Sequence, residues 1–361
     1  MRKMSVTGLV LILSLAAAPV AHADALDDAV NSELKRQTIP GLALGIEHDG
    51  KITRLSGYGS ADLEWQAPVT PDSLFQTGST GKQFASLAIL MLEQEGKLSI
   101  EDPISKYFPD VPASWADIKL KHLLSHSSGL DDDYSKVDLQ KTMKWDDLRK
   151  AIYTMPKTRP AGDKWSYCNA AYVMLGLVIE QITESSYHNY FTSHIFKPLG
   201  MNATRDISEE DIIPGRASGY ERKGGALGAP LKNQAWVSKT FNHTADGSTY
   251  ISARDFTTYL AAMDVPNPPF AALWAKAKAP VIKTEADKPA YYGMGWFTVT
   301  VDDTPIEYHS GSWQGFRAFI IHYPKQKSGL VVLVNSDIPQ PAALFGKIMA
   351  AALPGIPAPP R

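Results

Sequence analysis

The spacing of the apolar residues changes twice along the chain, and this constrains the fold more than any other feature. Near the start, Gly41 to Glu47 and Ile52 to Tyr58 flank His48-Asp49-Gly50-Lys51, an Asp-Gly turn that predicts a β-hairpin. Near the end, Gly295 to Val301, Ile306 to His309, Gly315 to Tyr323 and Gly329 to Val334 read as four closely connected strands. A helix over Ala342 to Ala352 follows them. Between these ends the spacing is helical or absent. Lys82 to Gln94, closed by Gly96, and Ala170 to Ile182 carry helical periodicity, and the stretch from Asp102 to Pro289 offers helix and loop signals with few strands. An amphipathic helix over Asp24 to Arg36 precedes the hairpin.

Strands from the two ends can complete one sheet if the helical middle is an insertion. The expected fold is therefore α/β (α+β), with an antiparallel sheet built from both chain ends and flanked by helices, plus an inserted, mainly helical lobe. The α/β lobe is drawn from residues 24–75 and 290–353 and the helical lobe from 79–289, with a cleft where they meet. At 44% hydrophobic with eight Trp the chain can fill a core, and with no repeat or linker it reads as one folded unit.

The first residues point to export. Arg2 and Lys3, the short apolar run Gly8 to Ala18 and the small-x-small Ala21-His22-Ala23 form a secretory signal over residues 1–23. Pro19 and the Ala-rich end suit cleavage better than a retained anchor, so a periplasmic or secreted protein with no membrane span after cleavage is expected. Cys168 is the sole cysteine, so no internal disulfide can form, and its apolar neighbours make it a packing residue. The formal charge of -2 becomes more negative once Arg2 and Lys3 leave, with no basic patch to attract nucleic acid or an anionic membrane. Pro354 to Arg361 holds four prolines and no apolar period, and is expected to be a disordered tail.

Three short motifs stand out by context. Ser79-Thr80-Gly81-Lys82 follows the turn-like Thr77-Gly78 and opens the helix that runs to Gln94, which sets the Ser79 amide at the positive helix end and Lys82 on the same face. The competing Ser32-Glu33-Leu34-Lys35 lies inside a polar helix. Tyr167-Cys168-Asn169 stands in a loop ahead of an apolar helix, whereas Tyr187-His188-Asn189 follows that helix in a polar stretch. His309-Ser310-Gly311 ends a predicted strand. Its competitors, His48-Asp49-Gly50 and Lys223-Gly224-Gly225, belong to a hairpin turn and a Gly-rich loop.

In this order the motifs resemble those of the serine β-lactamase and penicillin-binding-protein superfamily, specifically the class C β-lactamase, DD-carboxypeptidase and related esterase branch. Leu120 to Leu130, Lys197 to Met201 and Ala245-Asp246-Gly247-Ser248 through Asp255 look like further landmarks of that family, so the resemblance covers nearly all of the mature chain. It implies an acyl-enzyme hydrolase in which Ser79 is the nucleophile and Lys82 or Tyr167 the working base. It further implies that Asn169 binds the substrate amide, that His309, Ser310 and Gly311 line the substrate strand, and that the backbone amides of Ser79 and Ser312 form the oxyanion hole. A lysine serves as base only if its surroundings depress its pKa.

The implied substrate is a small molecule or peptide, such as a peptidoglycan-derived D-alanyl-D-alanine peptide or a β-lactam. Esterase, D-aminopeptidase and class C-like β-lactamase activity are alternatives, as is a penicillin-binding sensor that acylates without turnover. Histidine at 309, where most relatives carry lysine, lowers the expectation of an efficient β-lactamase. If protonated, it would hold a substrate carboxylate beside Ser310 only at low pH. No serine carries glycine at both minus two and plus two, so the nucleophile elbow is absent. His122 and His126 have zinc-pair spacing without the Glu of H-E-x-x-H, so no metal and no cofactor are expected. Trp165 and Trp313 are candidates for the pocket wall.

Overall fold

Nine antiparallel strands drawn from both ends of the chain form one sheet in the computed structural model, which describes residues 25–132, 137–208, 210–285 and 290–360. In chain order they are β1 (Gly41–His48), β2 (Lys51–Asp62), β3 (Ala67–Pro68), β4 (Ile282–Lys283), β5 (Tyr291–Tyr292), β6 (Phe297–Val301), β7 (Thr304–Trp313), β8 (Phe316–Tyr323) and β9 (Ser328–Val334). Their order across the sheet is β3, β2, β1, β9, β8, β7, β6, β5, β4. The two chain ends join where β1 meets β9, with Leu42 opposite Val334 and Glu47 opposite Gly329.

This central seam is covered on both faces, which is why β9 is buried throughout and reads as an almost unbroken apolar run rather than an alternation. Leu42, Leu44, Ile46, Val332 and Val334 face the terminal helices α1 (Ala25–Gln37) and, in the numbering of the longer helices used below, α5 (Pro341–Ala352). Ala43, Val331 and Leu333 face the larger core shared with the helical middle. There lie α2 (Lys82–Gln94), α3 (Asn169–Thr183) and α4 (Ala253–Asp264).

α2 is buried almost all round, so its sequence is apolar on every face. Phe84 is its anchor, with ring centroids 5.0 Å from Phe196 and 5.2 Å from Tyr259 in edge-to-face contacts. The helix that begins at Lys82 is thereby fixed in rotation.

Two expectations need correction or placement. The proline-rich tail is not free: Ile356 packs against the core under α5, and the Tyr323 hydroxyl donates to the Pro357 carbonyl at 3.0 Å. Prolines without apolar period fold onto a surface when one apolar residue and one carbonyl find partners there. The signal segment 1–23 lies outside the described residues. Among the described residues no helix is long and apolar enough to cross a membrane.

Because Phe84 fixes α2, Phe84→Ala should cost about 3–5 kcal/mol of stability, read as a lower denaturant midpoint. Phe84→Leu, which keeps most of the volume, should lose much less.

Candidate active site

Ser79 lies on the 3₁₀ turn Gly78–Gly81, and Lys82 is the first residue of α2 immediately after it. In a 3₁₀ turn side chains three apart eclipse one another, so the backbone itself places the lysine amine 3.0 Å from the Ser79 hydroxyl. The turn is clamped by close backbone approach on two sides. A β-carbon on Gly311 of β7 would lie 2.0 Å from the Thr77 carbonyl oxygen, and one on Gly247 would lie 2.4 Å from the Gly78 carbonyl. Only glycine fits either place. Gly78, at φ +51, brings its Cα so near Ser312 that a β-carbon would meet the Ser312 amide nitrogen at 2.7 Å.

Lys82 is fully buried, and its Nζ donates to three neutral oxygens: Ser79 Oγ, Asn169 Oδ1 at 2.9 Å and the Asp246 carbonyl at 2.7 Å. Desolvation pushes its pKa down to about 8, against the opposing pull of the Asp246 and Asp132 carboxylates. A neutral amine here donates to Asn169 and Asp246 and offers its lone pair to the serine proton. Asn169 is itself held by its backbone amide, which donates to Asp132 Oδ2 at 2.5 Å at the start of α3.

The Tyr167 ring lies 5.0 Å from Lys82 Nζ and stacks 4.1 Å from the His126 ring. Its hydroxyl is buried with no well-formed hydrogen bond among the described residues. Burial drives its pKa well up, more than the neighbouring Ser79 hydroxyl draws it down. Cys168 is buried and its thiol pKa is likewise raised, which fits packing.

The expectations for the third motif are overturned in part. His309 is only 1% exposed and lies behind the pocket. Its Nδ1 is 2.7 Å from the Ser310 carbonyl, an acceptor only, so Nδ1 carries the proton and Nε2 accepts from the Tyr292 hydroxyl at 3.0 Å. Desolvation first and the Lys82 charge second push its pKa down to about 3, which favours the neutral ring and weighs against a charged carboxylate receptor. Ser310 points to the other face of the sheet. It is exposed and lines a separate cavity with Tyr308, Phe319 and residues of α5. Strand alternation sends neighbours to opposite faces, and the sequence motif concealed this. Gly311 acts through its missing side chain.

A cavity of 330 Å³ opens above the Ser79 turn, lined by Ser79, Tyr167, Asn169, Gly247, Ser312 and Trp313 among others. Trp313 is therefore a wall residue, while Trp165 packs edge-on to Tyr167 at 6.2 Å. His122 and His126 do not form a zinc pair, because the helix ends at Leu124 and His126 turns left-handed at φ +55. The sequence reading missed Asp132 and Tyr292, weighed His126 only as a zinc ligand, and took Asp246 only as a landmark. The Asp246 contact runs through a backbone carbonyl, which leaves no side-chain signature.

Comparison with known proteins finds relatives by sequence and by fold. Residues 26–352 match the family model described as Beta-lactamase. Protein flp of Staphylococcus aureus (strain MW2) is 30% identical over 321 residues, covering 86% of this chain and 62% of that protein. The chain thus spans less than two thirds of that relative's length. The octameric penicillin-binding protein homologue from Pyrococcus abyssi superposes with a TM-score of 0.79 at 25% identity, over 91% of this chain and 76% of that one. The D-amino acid amidase from Ochrobactrum anthropi SV3 gives 0.78 at 23% identity, over 91% and 97%.

A folded-state pKa of about 3 for His309 means that the unfolded chain takes up its proton first, near pH 6.5. Stability should fall as pH drops from 6.5 towards 3. In chemical denaturation across that range, His309→Asn should flatten the slope by up to one proton relative to the wild type.

Proposed function

The chain belongs to the beta-lactamase family, and we propose on that premise that it is an exported serine hydrolase that works through an acyl-enzyme on Ser79. The single observation that carries this reading is the buried Lys82 amine held 3.0 Å from the Ser79 hydroxyl with its pKa pushed down to about 8. A lysine so placed is neutral in a sizeable fraction at mildly alkaline pH and takes the serine proton as Oγ attacks the carbonyl carbon. The oxyanion then faces the backbone amides of Ser79 and Ser312, which the Gly78 and Gly311 contacts bring together. Tyr167, with its raised pKa, remains protonated and relays a proton to the leaving nitrogen or oxygen as the bond to carbon breaks. Lys82 is the base in this account and Tyr167 the donor. The Asn169 Oδ1 is occupied by Lys82, which leaves its amide N–H for the substrate carbonyl.

Position 309 supports one substrate class over another. A neutral, buried imidazole supplies no fixed cation for a free carboxylate, so amides and esters of D-amino acids suit the site better than D-alanyl-D-alanine peptides. D-Alanyl-D-alanine carboxypeptidase activity thus gives way to a D-amino-acid amide or ester hydrolase as the leading reading. The positive start at Arg2 and Lys3, the short apolar run and Ala21-His22-Ala23 support export, and with it a reaction outside the cytoplasm.

A fluorophosphonate should add one label, mapped to Ser79 by mass spectrometry, and Ser79→Ala should take up none. The Michaelis constants for a D-amino-acid amide and for a dipeptide with a free carboxylate should run parallel between pH 6 and 8 (about the range in which a free histidine titrates). A selective rise for the carboxylate substrate would restore a charged His309.

A further inference from the structure

A second cluster of ionisable side chains lies at the far end of the sheet, away from the Ser79 turn. His322 near the end of β8 presents Nδ1 to Glu307 Oε2 at 2.7 Å and Nε2 to Asp264 Oδ2 at 3.1 Å. Glu47 of β1 completes the group, with ligand atoms of Glu47, Asp264 and His322 all within 4.8 Å of one another. Glu47 is 0% exposed, yet neither of its carboxylate oxygens has a hydrogen-bond partner among the described residues. A buried carboxyl group without a well-formed partner is costly, and burial beside Asp264 favours its protonated form. Its neighbour Asp264 is a second carboxylate, so the crowding is electrostatic as well.

We propose that Glu47, Asp264 and His322 bind one divalent transition-metal ion, with zinc as the fitting type, as a structural site that ties β1, β8 and the end of α4 together. One imidazole and two carboxylates are a donor set that zinc accepts, and two ligands of a tetrahedral zinc lie about 3.3 Å apart given bond lengths near 2.0–2.1 Å. The His322–Asp264 separation is already close to that.

The surroundings are also those of a metal-bound histidine. Glu307 accepts from Nδ1–H, the arrangement that orients histidine ligands in metal sites, while Nε2–H donates to Asp264, so an ion bound here would displace the Nε2 proton. Lys278 in turn holds Glu307 at 2.7 Å, which balances that carboxylate's charge. An ion bound here would take the place of the proton that burial and the neighbouring Asp264 favour on Glu47, and would neutralise Asp264. The helix Ala271–Lys278 that carries Lys278 is thereby linked to the same centre.

Among the described residues, Glu47, Asp264 and His322 share no hydrogen bond or ion pair with Ser79, Lys82, Tyr167 or Asn169, so the failure of the site and that of the hydrolase reading are separable. The wild-type protein, stripped with chelator, unfolded in guanidinium and refolded with excess zinc chloride, should retain one equivalent of zinc after dialysis, measured by elemental analysis. Its melting temperature should rise relative to the protein refolded with chelator. Glu47→Gln, isosteric and uncharged, should fold as judged by circular dichroism and bind zinc at least about 10-fold more weakly. Glu307→Gln should weaken zinc about 10- to 100-fold, as loss of a histidine's orienting partner does. Fluorophosphonate labelling at Ser79 should proceed in all three proteins. Less than a tenth of an equivalent retained by the wild type, or equal retention by a folded Glu47→Gln variant, would overturn the site.

Discussion

Everything at the candidate active site depends on burying one amine without pairing it directly to a carboxylate. Lys82 has no exposed surface, and its three hydrogen-bond acceptors are a hydroxyl, a side-chain amide and a backbone carbonyl. None carries a formal charge. A salt bridge would hold the lysine charged and useless as a base, whereas complete desolvation with neutral partners lowers its pKa while leaving it fully hydrogen-bonded. The fold is arranged to permit this: α2 must be sheathed in apolar side chains on every face, and three strands of backbone must meet at glycines around the Ser79 turn.

The same low-dielectric environment accounts for the third motif. His309 lies close enough to Lys82 to feel its charge and deep enough to lose its own. Its hydrogen bonds to the Ser310 carbonyl and Tyr292 leave one neutral tautomer, so it supports an aromatic wall that includes Tyr292, His126 and Tyr167. A residue that would carry charge as lysine has become part of the packing. On the proposed hydrolase reading, the consequence would reach the substrate, since position 309 then offers no fixed cation to receive a carboxylate.

The sheet and its long helices were legible because they carry strong periodicity. The hairpin at Asp49-Gly50, the helix from Lys82 to Gln94 and the closely spaced strands near the C-terminus all emerged within a few residues of their sequence positions. The two-residue strands β3, β4 and β5 were not, since two residues have no period. β7 extends to Trp313, beyond the predicted end at His309, because Ser310 to Trp313 pair with Phe316 to Phe319 whatever their own propensity. At the site, Ser79 and Lys82 were legible as a local spacing. The side of the sheet taken by His309 and Ser310 was not, because a motif gives the order of residues and not the strand's phase relative to the core. Asp132, Asp246 and Tyr292 come from distant segments and meet only in the folded chain.

The claim that burial makes Lys82 the base for Ser79 is tested most directly by the pH dependence of single-turnover acylation with an uncharged activated ester. The rate should rise with pH through one ionisation near 8, where the amine loses its proton, with no inflection from His309 near 6.5. A rate that stayed flat through pH 8, or rose only near the ordinary lysine value of about 10.4, would contradict the account.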